Sequence, residues 1–204
     1  MKSNHGILHK SALFAAALIW GSSFFIVKNS VSDFSPNILL GIRFTIGCIL
    51  LSLIFHKKLR FITRTLIGKG GLTGLFLFGA YCLQTIGITD TTPGKNAFLT
   101  AIYCVLVPFF YWVIYKIRPD RYNFLAATLC IAGIGLVSLT GDFSIRFGDA
   151  LTLAGGVFYA LHMVAVAKFG MDQDSVLFTL IQFASAAAAS WIVGFCFEGG
   201  LQRL

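Results

Sequence analysis

Leu18-Ile19-Trp20-Gly21-Ser22-Ser23-Phe24-Phe25-Ile26-Val27-Lys28 lies in an apolar run that holds no charged residue between Lys10 and Lys28. A helix on the surface of a soluble domain would show charge on one face every three or four residues. The hydrocarbon core of a bilayer is about 30 Å thick, and a helix of roughly 20 apolar residues crosses it. The stretch therefore reads as a transmembrane helix, broken in texture only by Trp20, Gly21, Ser22 and Ser23. A short polar turn follows, then a second apolar helix that carries a single arginine, Arg43.

The same reading repeats along the chain and predicts an all-α polytopic membrane protein of about seven transmembrane helices. The expected spans are 11–31, 36–55, 71–88, 95–115, 123–139, 150–167 and 175–197, after a polar tail over 1–10. Pro36 suits a first helical turn, where its missing N–H costs nothing. Pro108 falls inside the fourth span and predicts a kink there. Gly71 and Gly74 open the third span with room for a close neighbour. Residues 56–70 form a basic connector with interleaved apolar residues, either an interfacial helix or an ordinary loop. A short loop holding Asp142, Arg146 and Asp149 precedes the sixth span.

Composition agrees. The chain is 57% hydrophobic and 12% charged, with mean hydropathy +0.82, whereas soluble domains carry about a quarter charged residues. The net charge of +8 reflects orientation rather than nucleic acid, because the basic residues gather in connecting segments. With the N-terminus inside, eleven Lys and Arg fall on inner segments (Lys2, Lys10, Lys57, Lys58, Arg60, Arg64, Lys69, Lys116, Arg118, Arg121, Lys168). Three, Lys28, Lys95 and Arg146, fall on outer turns. The expected arrangement is a multi-pass protein of the inner or plasma membrane with a cytoplasmic N-terminus. The five cysteines, Cys48, Cys82, Cys104, Cys130 and Cys196, lie in apolar runs without a Cys-x-x-Cys pair, so no disulfide frame or zinc site is implied.

A weak internal echo has topological weight. Sliding the chain by 139 places Trp20 on Tyr159, Asp33 on Asp172, Arg43 on Gln182 and Phe44 on Phe183. The first copy starts with span one and the second with span six. Five spans separate them, and an odd number inverts the second copy. Inverted repeats mark transporters whose site lies at the repeat interface.

Several short motifs, in order, resemble the drug/metabolite transporter superfamily in its EamA-type branch. They are Trp20-Gly21-Ser22-Ser23-Phe24, Arg43-Phe44, Pro93-Gly94-Lys95-Asn96-Ala97-Phe98-Leu99, Pro108, Gly133-Ile134-Gly135-Leu136, and Gly148-Asp149-Ala150-Leu151 leading to Tyr159-Ala160. The resemblance implies two inverted five-helix repeats and export or exchange of small metabolites such as amino acids. On this chain it implies a first repeat over 11–141 and part of a second over 149–204. Seven spans depart from ten. A chain lacking the last three helices is expected to be a truncated copy that does not transport as an isolated monomer. A homodimer, aided by small residues from Ala186 to Ser190, is the competing idea.

Arg43 is the sharpest candidate for chemistry. An arginine about two turns into a span either snorkels to the interface or binds an anion in a cavity. Asn96, Thr100 and Tyr103 fall at i, i+4, i+7, on one face of span four. Tyr81 with Gln84, Trp20 with Ser23, and Tyr159 with His162 make similar polar faces on spans three, one and six. Facing inward, the ten would line a midplane pocket with aromatic walls; facing each other, they would tie helices together. The carboxylates lie in turns or at span ends, which leaves His162 as the one deep group able to titrate near neutrality. Facilitated diffusion, exchange and proton antiport therefore stay open.

No His-Glu-x-x-His, Gly-x-Ser-x-Gly or phosphate-binding glycine loop occurs, so neither an enzyme nor a cofactor is indicated. The partners expected are the lipid bilayer and a small-molecule substrate, with no nucleic acid. A membrane subunit that associates through small-residue helices without transporting is the alternative. The charge bias yields a direct test. In a cysteine-free background, a cysteine at Thr92 should react with an impermeant maleimide from outside intact cells, and one at Lys58 should not. Labelling in the reverse pattern contradicts the orientation.

Overall fold

A segment that crosses hydrocarbon must satisfy its backbone N–H and C=O groups internally, and a helix does so. The computed structural model of the chain describes residues 3–138 and 146–199, with side chains from 9 to 136 and 146 to 199. The helices are α1 (Ser3–Ser30), α2 (Pro36–Ile54), α3 (Arg64–Thr89), α4 (Pro93–Thr100), α5 (Tyr103–Tyr115), α6 (Arg121–Ser138), α7 (Phe147–Phe169) and α8 (Ser175–Phe197). A 3-10 turn over His56–Phe61 joins α2 to α3. Among the described residues there is no strand. Six helices are long and apolar enough to span a bilayer, with α4 and α5 counting as one, and α6 contributes a shorter apolar stretch, Arg121–Leu136.

Helix ends follow local chemistry. Thr63 and Thr92 cap α3 and α4 by accepting the N–H groups of Leu66 and Lys95. Asp174 caps α8 by accepting those of Val176 and Leu177. Pro36 and Pro93 occupy first-turn positions.

The packing centre is α3, which lies against both α7 and α8, while α2 lies antiparallel along α8. Leu40, Phe44, Leu77, Ala186 and Ala187 form one buried cluster, and Leu66, Leu177, Phe178 and Leu180 another. Between helices in lipid, close van der Waals approach and hydrogen bonds replace the hydrophobic drive. Glycine allows that approach. A Cβ built on Gly74 would lie 2.6 Å from the Gln182 carbonyl oxygen, and one on Gly87 would lie 2.6 Å from that of Gly148.

Several expectations change. Helix α1 starts at Ser3, so residues 3–10 are helical instead of a free tail, and the apolar span inside it is His9–Ser30. The 56–70 connector is helical except at Ile62 and Thr63, a 3-10 helix over His56–Phe61 followed by the start of α3 at Arg64 under the Thr63 cap. Pro108 sits within α5, and the fourth span breaks upstream at Ala101–Ile102. There the backbone bonds shorten to three-residue spacing, Ile102 to Leu99, Cys104 to Ala101 and Val105 to Ile102. Asp149 belongs to the first turn of α7, where it closes a capping box with the Arg146 N–H. Asp142 and residues 200–204 lie outside the described residues. A methyl group on Gly71 would meet nothing, so of that pair Gly74 alone needs to be a glycine, although the Gly71 carbonyl accepts the Ser185 hydroxyl across the same seam at 2.9 Å. Of the small residues from Ala186 to Ser190, Ala186, Ala187 and Ser190 are buried within the chain itself, whereas Ala188 is exposed and Ala189 partly so.

The two glycines give a paired test. Gly74→Ala should overpack the α3–α8 seam and cost about 1–3 kcal/mol. Gly71→Ala enters open space and should stabilise the helix by up to about 1 kcal/mol. Unfolding midpoints in detergent should therefore move in opposite directions; a harmless Gly74→Ala contradicts the seam.

Candidate functional site

Two recesses open between the helices around Arg43. The first, of about 160 Å³, lies among α1, α2, α3, α4, α5 and α7. The second, of about 610 Å³, lies among α1, α2, α3, α7 and α8 and reaches Gly170 and Ser175 at the α7–α8 turn. Trp20, Arg43, Tyr81 and Met163 line both.

The first recess is lined by nine of the ten expected residues: Trp20, Ser23, Arg43, Tyr81, Gln84, Asn96, Thr100, Tyr103 and Tyr159. His162, the tenth, lines the second. The break at Ala101–Ile102 separates Thr100 from Tyr103, yet both still face the same space. A Cβ on Gly156 of α7 would collide with Ile102, so the break sits where α7 comes closest.

One hydrogen-bonded chain holds the wall. The Tyr159 hydroxyl donates to Gln84 Oε1 (3.1 Å), and Gln84 Nε2 donates to the Thr100 hydroxyl (2.8 Å), which donates to the Asn96 carbonyl (2.8 Å). Asn96 Nδ2 donates to the Gln84 carbonyl (3.2 Å) and to the Thr152 hydroxyl (2.7 Å), which in turn donates to the Gly148 carbonyl (2.7 Å). Gln84, Asn96, Thr100, Thr152 and Tyr159 are all buried. The packing role weighed for this set is thus present alongside the lining role. Aromatic rings complete the wall: Tyr81 meets Tyr159 at 5.3 Å between centroids and Phe44 at 5.3 Å, and Tyr103 meets Tyr159 at 5.7 Å. Trp20 is 54% exposed and still lines both recesses.

Arg43 is half-buried, with its guanidinium carbon 5.8 Å from the Tyr81 ring centroid. Among the described residues no carboxylate lies within ion-pair distance of it. The carboxylates engage the helix ends instead. Asp149, 1% exposed, accepts from Lys95 Nζ at 2.6 Å, from the Thr91 hydroxyl at 2.8 Å and from the Arg146 N–H at 3.0 Å. Asp90 accepts from the Gly148 N–H at 3.0 Å. Lys28 Nζ donates to the Ile88 and Thr89 carbonyls at the C-terminus of α3, where the helix dipole favours a cation. Glu198 accepts from the Asn37 N–H and Nδ2. These contacts pin one end of the bundle. At the other end one exposed pair, Lys58–Asp174, crosses from the α2–α3 connector to the α7–α8 turn. The Lys58 hydrogen bond, with help from the Leu177 N–H, holds the Asp174 carboxyl below its ordinary range.

Sequence reading missed Thr152 and Met163, although both follow the Tyr159 face of α7 at helical spacing. It also missed Gln182 as a lining residue, despite its alignment with Arg43, and the Lys95–Asp149 pair. Breaking that pair tests the pinned end. Asp149→Leu leaves Lys95 without its partner and should cost about 3–5 kcal/mol. The Lys95→Met/Asp149→Leu double variant should lose less in unfolding midpoint than the sum of the two single losses, while still lacking the Thr91 and Arg146 contacts of Asp149; additive losses contradict the pairing.

Comparison with known proteins places these features. The model of the EamA-like transporter family matches residues 10–139. An uncharacterized transporter of Archaeoglobus fulgidus is 31% identical over 153 residues, 75% of this chain and 47% of that protein. The uncharacterized transporter YvbV of Bacillus subtilis is 27% identical over 198 residues, 93% of this chain and 64% of that protein. The uncharacterized inner membrane transporter YedA of Escherichia coli K12 is 25% identical over 159 residues, 75% of this chain and 51% of that protein. The chain spans about half to two thirds of the length of these relatives. No solved structure matches it.

Proposed function

Since the chain belongs to the EamA-like transporter family, we propose that it carries small metabolites, amino acids among them, across the inner or plasma membrane. Movement is by alternating access at the recesses around Arg43, with the N-terminus cytoplasmic. The observation that supports this most is where residues related by the 139-residue shift meet. Phe44 and Phe183 touch, with ring centroids 5.6 Å apart. Trp20 and Tyr159 line one recess, and Arg43 and Gln182 the other. Equivalent residues converge in this way when two inverted copies, over 11–141 and 149–204, share an axis through the site.

The two ends of the bundle differ as alternating access requires. Charged and polar contacts pin the end at the α3–α4 turn, while the larger recess reaches the α7–α8 turn at the other. Under the cytoplasmic N-terminus this is a state closed outside and reachable from inside. The turn at Ala101–Ile102, with its three-residue hydrogen-bond spacing, supplies a hinge beside the site, since a tightened turn within a helix often marks one.

Proteoliposomes loaded with a panel of labelled small metabolites test the proposal. Saturable movement of at least one panel member is expected where two chains associate and not from an isolated monomer, and Arg43→Gln should reduce it tenfold or more with the unfolding midpoint unchanged. A folded chain that moves nothing in either state supports the reading of a non-transporting subunit. Movement unaffected by Arg43→Gln contradicts the placement of the site.

A further inference from the structure

We propose that the recesses around Arg43 select a small molecule with net negative charge that also carries an O–H or N–H donor, over zwitterions and cations of the same shape. The inference rests on the transport site proposed above and narrows its ligand, favouring acidic amino acids over zwitterionic ones. It follows from three groups on recess-lining residues that no hydrogen bond or ion pair engages among the described residues, although Arg43 also stacks over Tyr81.

The first is the Arg43 guanidinium, which lines both recesses and has no carboxylate partner among the described residues. A guanidinium has donors and no acceptor, and it binds carboxylates and phosphates best. No Asp or Glu lines either recess. A ligand ammonium would meet Arg43 and no counter-charge, so a zwitterion is penalised and a cation more so.

The second is His162. Gln182 Nε2 donates to the Phe178 carbonyl at 3.2 Å, so Gln182 Oε1 faces the imidazole, 2.7 Å from His162 Nε2. An amide oxygen only accepts, so Nε2 carries the proton and neutral His162 holds a lone pair at Nδ1. Nδ1 is buried without a partner, and His162 lines the same recess as Arg43.

The third is Asn96. Its Nδ2 is committed to the Gln84 carbonyl and to Thr152. Thr152 gives its own proton to Gly148, which fixes the amide orientation. Asn96 Oδ1 is therefore an acceptor, buried and without a partner, on a residue 0% exposed that lines the other recess. Both orphans can only accept. A buried acceptor left unsatisfied is costly, and a ligand O–H or N–H would remove that cost. One cation and two acceptors thus ask for an anion with a donor.

Four probes of one shape separate these demands: 3-phenyllactate (anion with O–H), 3-phenylpropionate (anion without a donor), phenylalanine (zwitterion) and phenylalaninol (cation with O–H). Equilibrium binding to the purified chain in detergent reads them without requiring transport. Phenyllactate should bind at least tenfold tighter than phenylalanine and phenylalaninol, with phenylpropionate between. Arg43→Gln should weaken both acids tenfold or more. His162→Leu or Asn96→Leu should remove the advantage of phenyllactate over phenylpropionate, and His162→Gln, which restores an acceptor, should keep it. The inference is overturned if the zwitterion or the cation binds as well as phenyllactate, or if no probe binds. It is also overturned if the hydroxyl advantage survives both leucine variants. A chain that binds in the expected order and moves nothing retains this inference and loses the transport reading. One that moves cations preferentially loses only the inference.

Discussion

Hydrocarbon gives a polar side chain nothing to bond to, and the arrangement of α3, α4 and α7 answers that constraint. Gln84, Asn96, Thr100, Thr152 and Tyr159 would each be costly alone. Joined from Tyr159 through Gln84 and Thr100, and from Asn96 through Thr152 to the Gly148 carbonyl, they satisfy one another and fix the helices in register. Because each donor in that network has one place to go, the groups left over are equally fixed. Asn96 Oδ1, His162 Nδ1 and the Arg43 guanidinium are unmatched, and all three belong to residues that line the recesses. The network that holds the wall thus orients the Asn96 amide, while outside it the Gln182 bond to the Phe178 carbonyl orients the amide oxygen that faces His162.

Close approach of backbones makes the network reachable. Gly74 lets α3 lie on the α8 backbone, and Gly87 and Gly148 bring the start of α7 against the end of α3. Asp149 is thereby buried beside Lys95 and Thr91, so the pinned end depends on the same glycine contacts as the site. A displacement of α7 against α3 would strain both together, which gives the bundle a physical route from an event at one end to the geometry of the recess.

Much of this was legible in the sequence, for reasons that differ by residue. Uncharged runs of span length identify helices because a bilayer admits little else, and the limits of α8 fall where the pattern puts them. Polar residues at helical spacing point inward because lipid rejects them, so nine of the ten expected lining residues share one recess. Hydropathy says less where a helix can be extended by polar residues, as at the start of α1, or where a cap starts one early, as at Thr63. It does not carry the break at Ala101–Ile102, because that break follows from the approach of α7 across more than 50 residues of chain. Nor does it carry the Lys95–Asp149 pair, since a carboxylate in a first helical turn reads as a surface group until its long-range partner is known.

A largely apolar recess with a few buried polar groups lies inside the bundle, held shut by charged and polar contacts at the α3–α4 turn and reaching the α7–α8 turn. Met163, which lines both recesses, reports on it most directly. With Met163→Cys in a cysteine-free background, an impermeant maleimide should react in inside-out vesicles and not in right-side-out ones. Reaction from the outer face, or from neither face, would contradict the account.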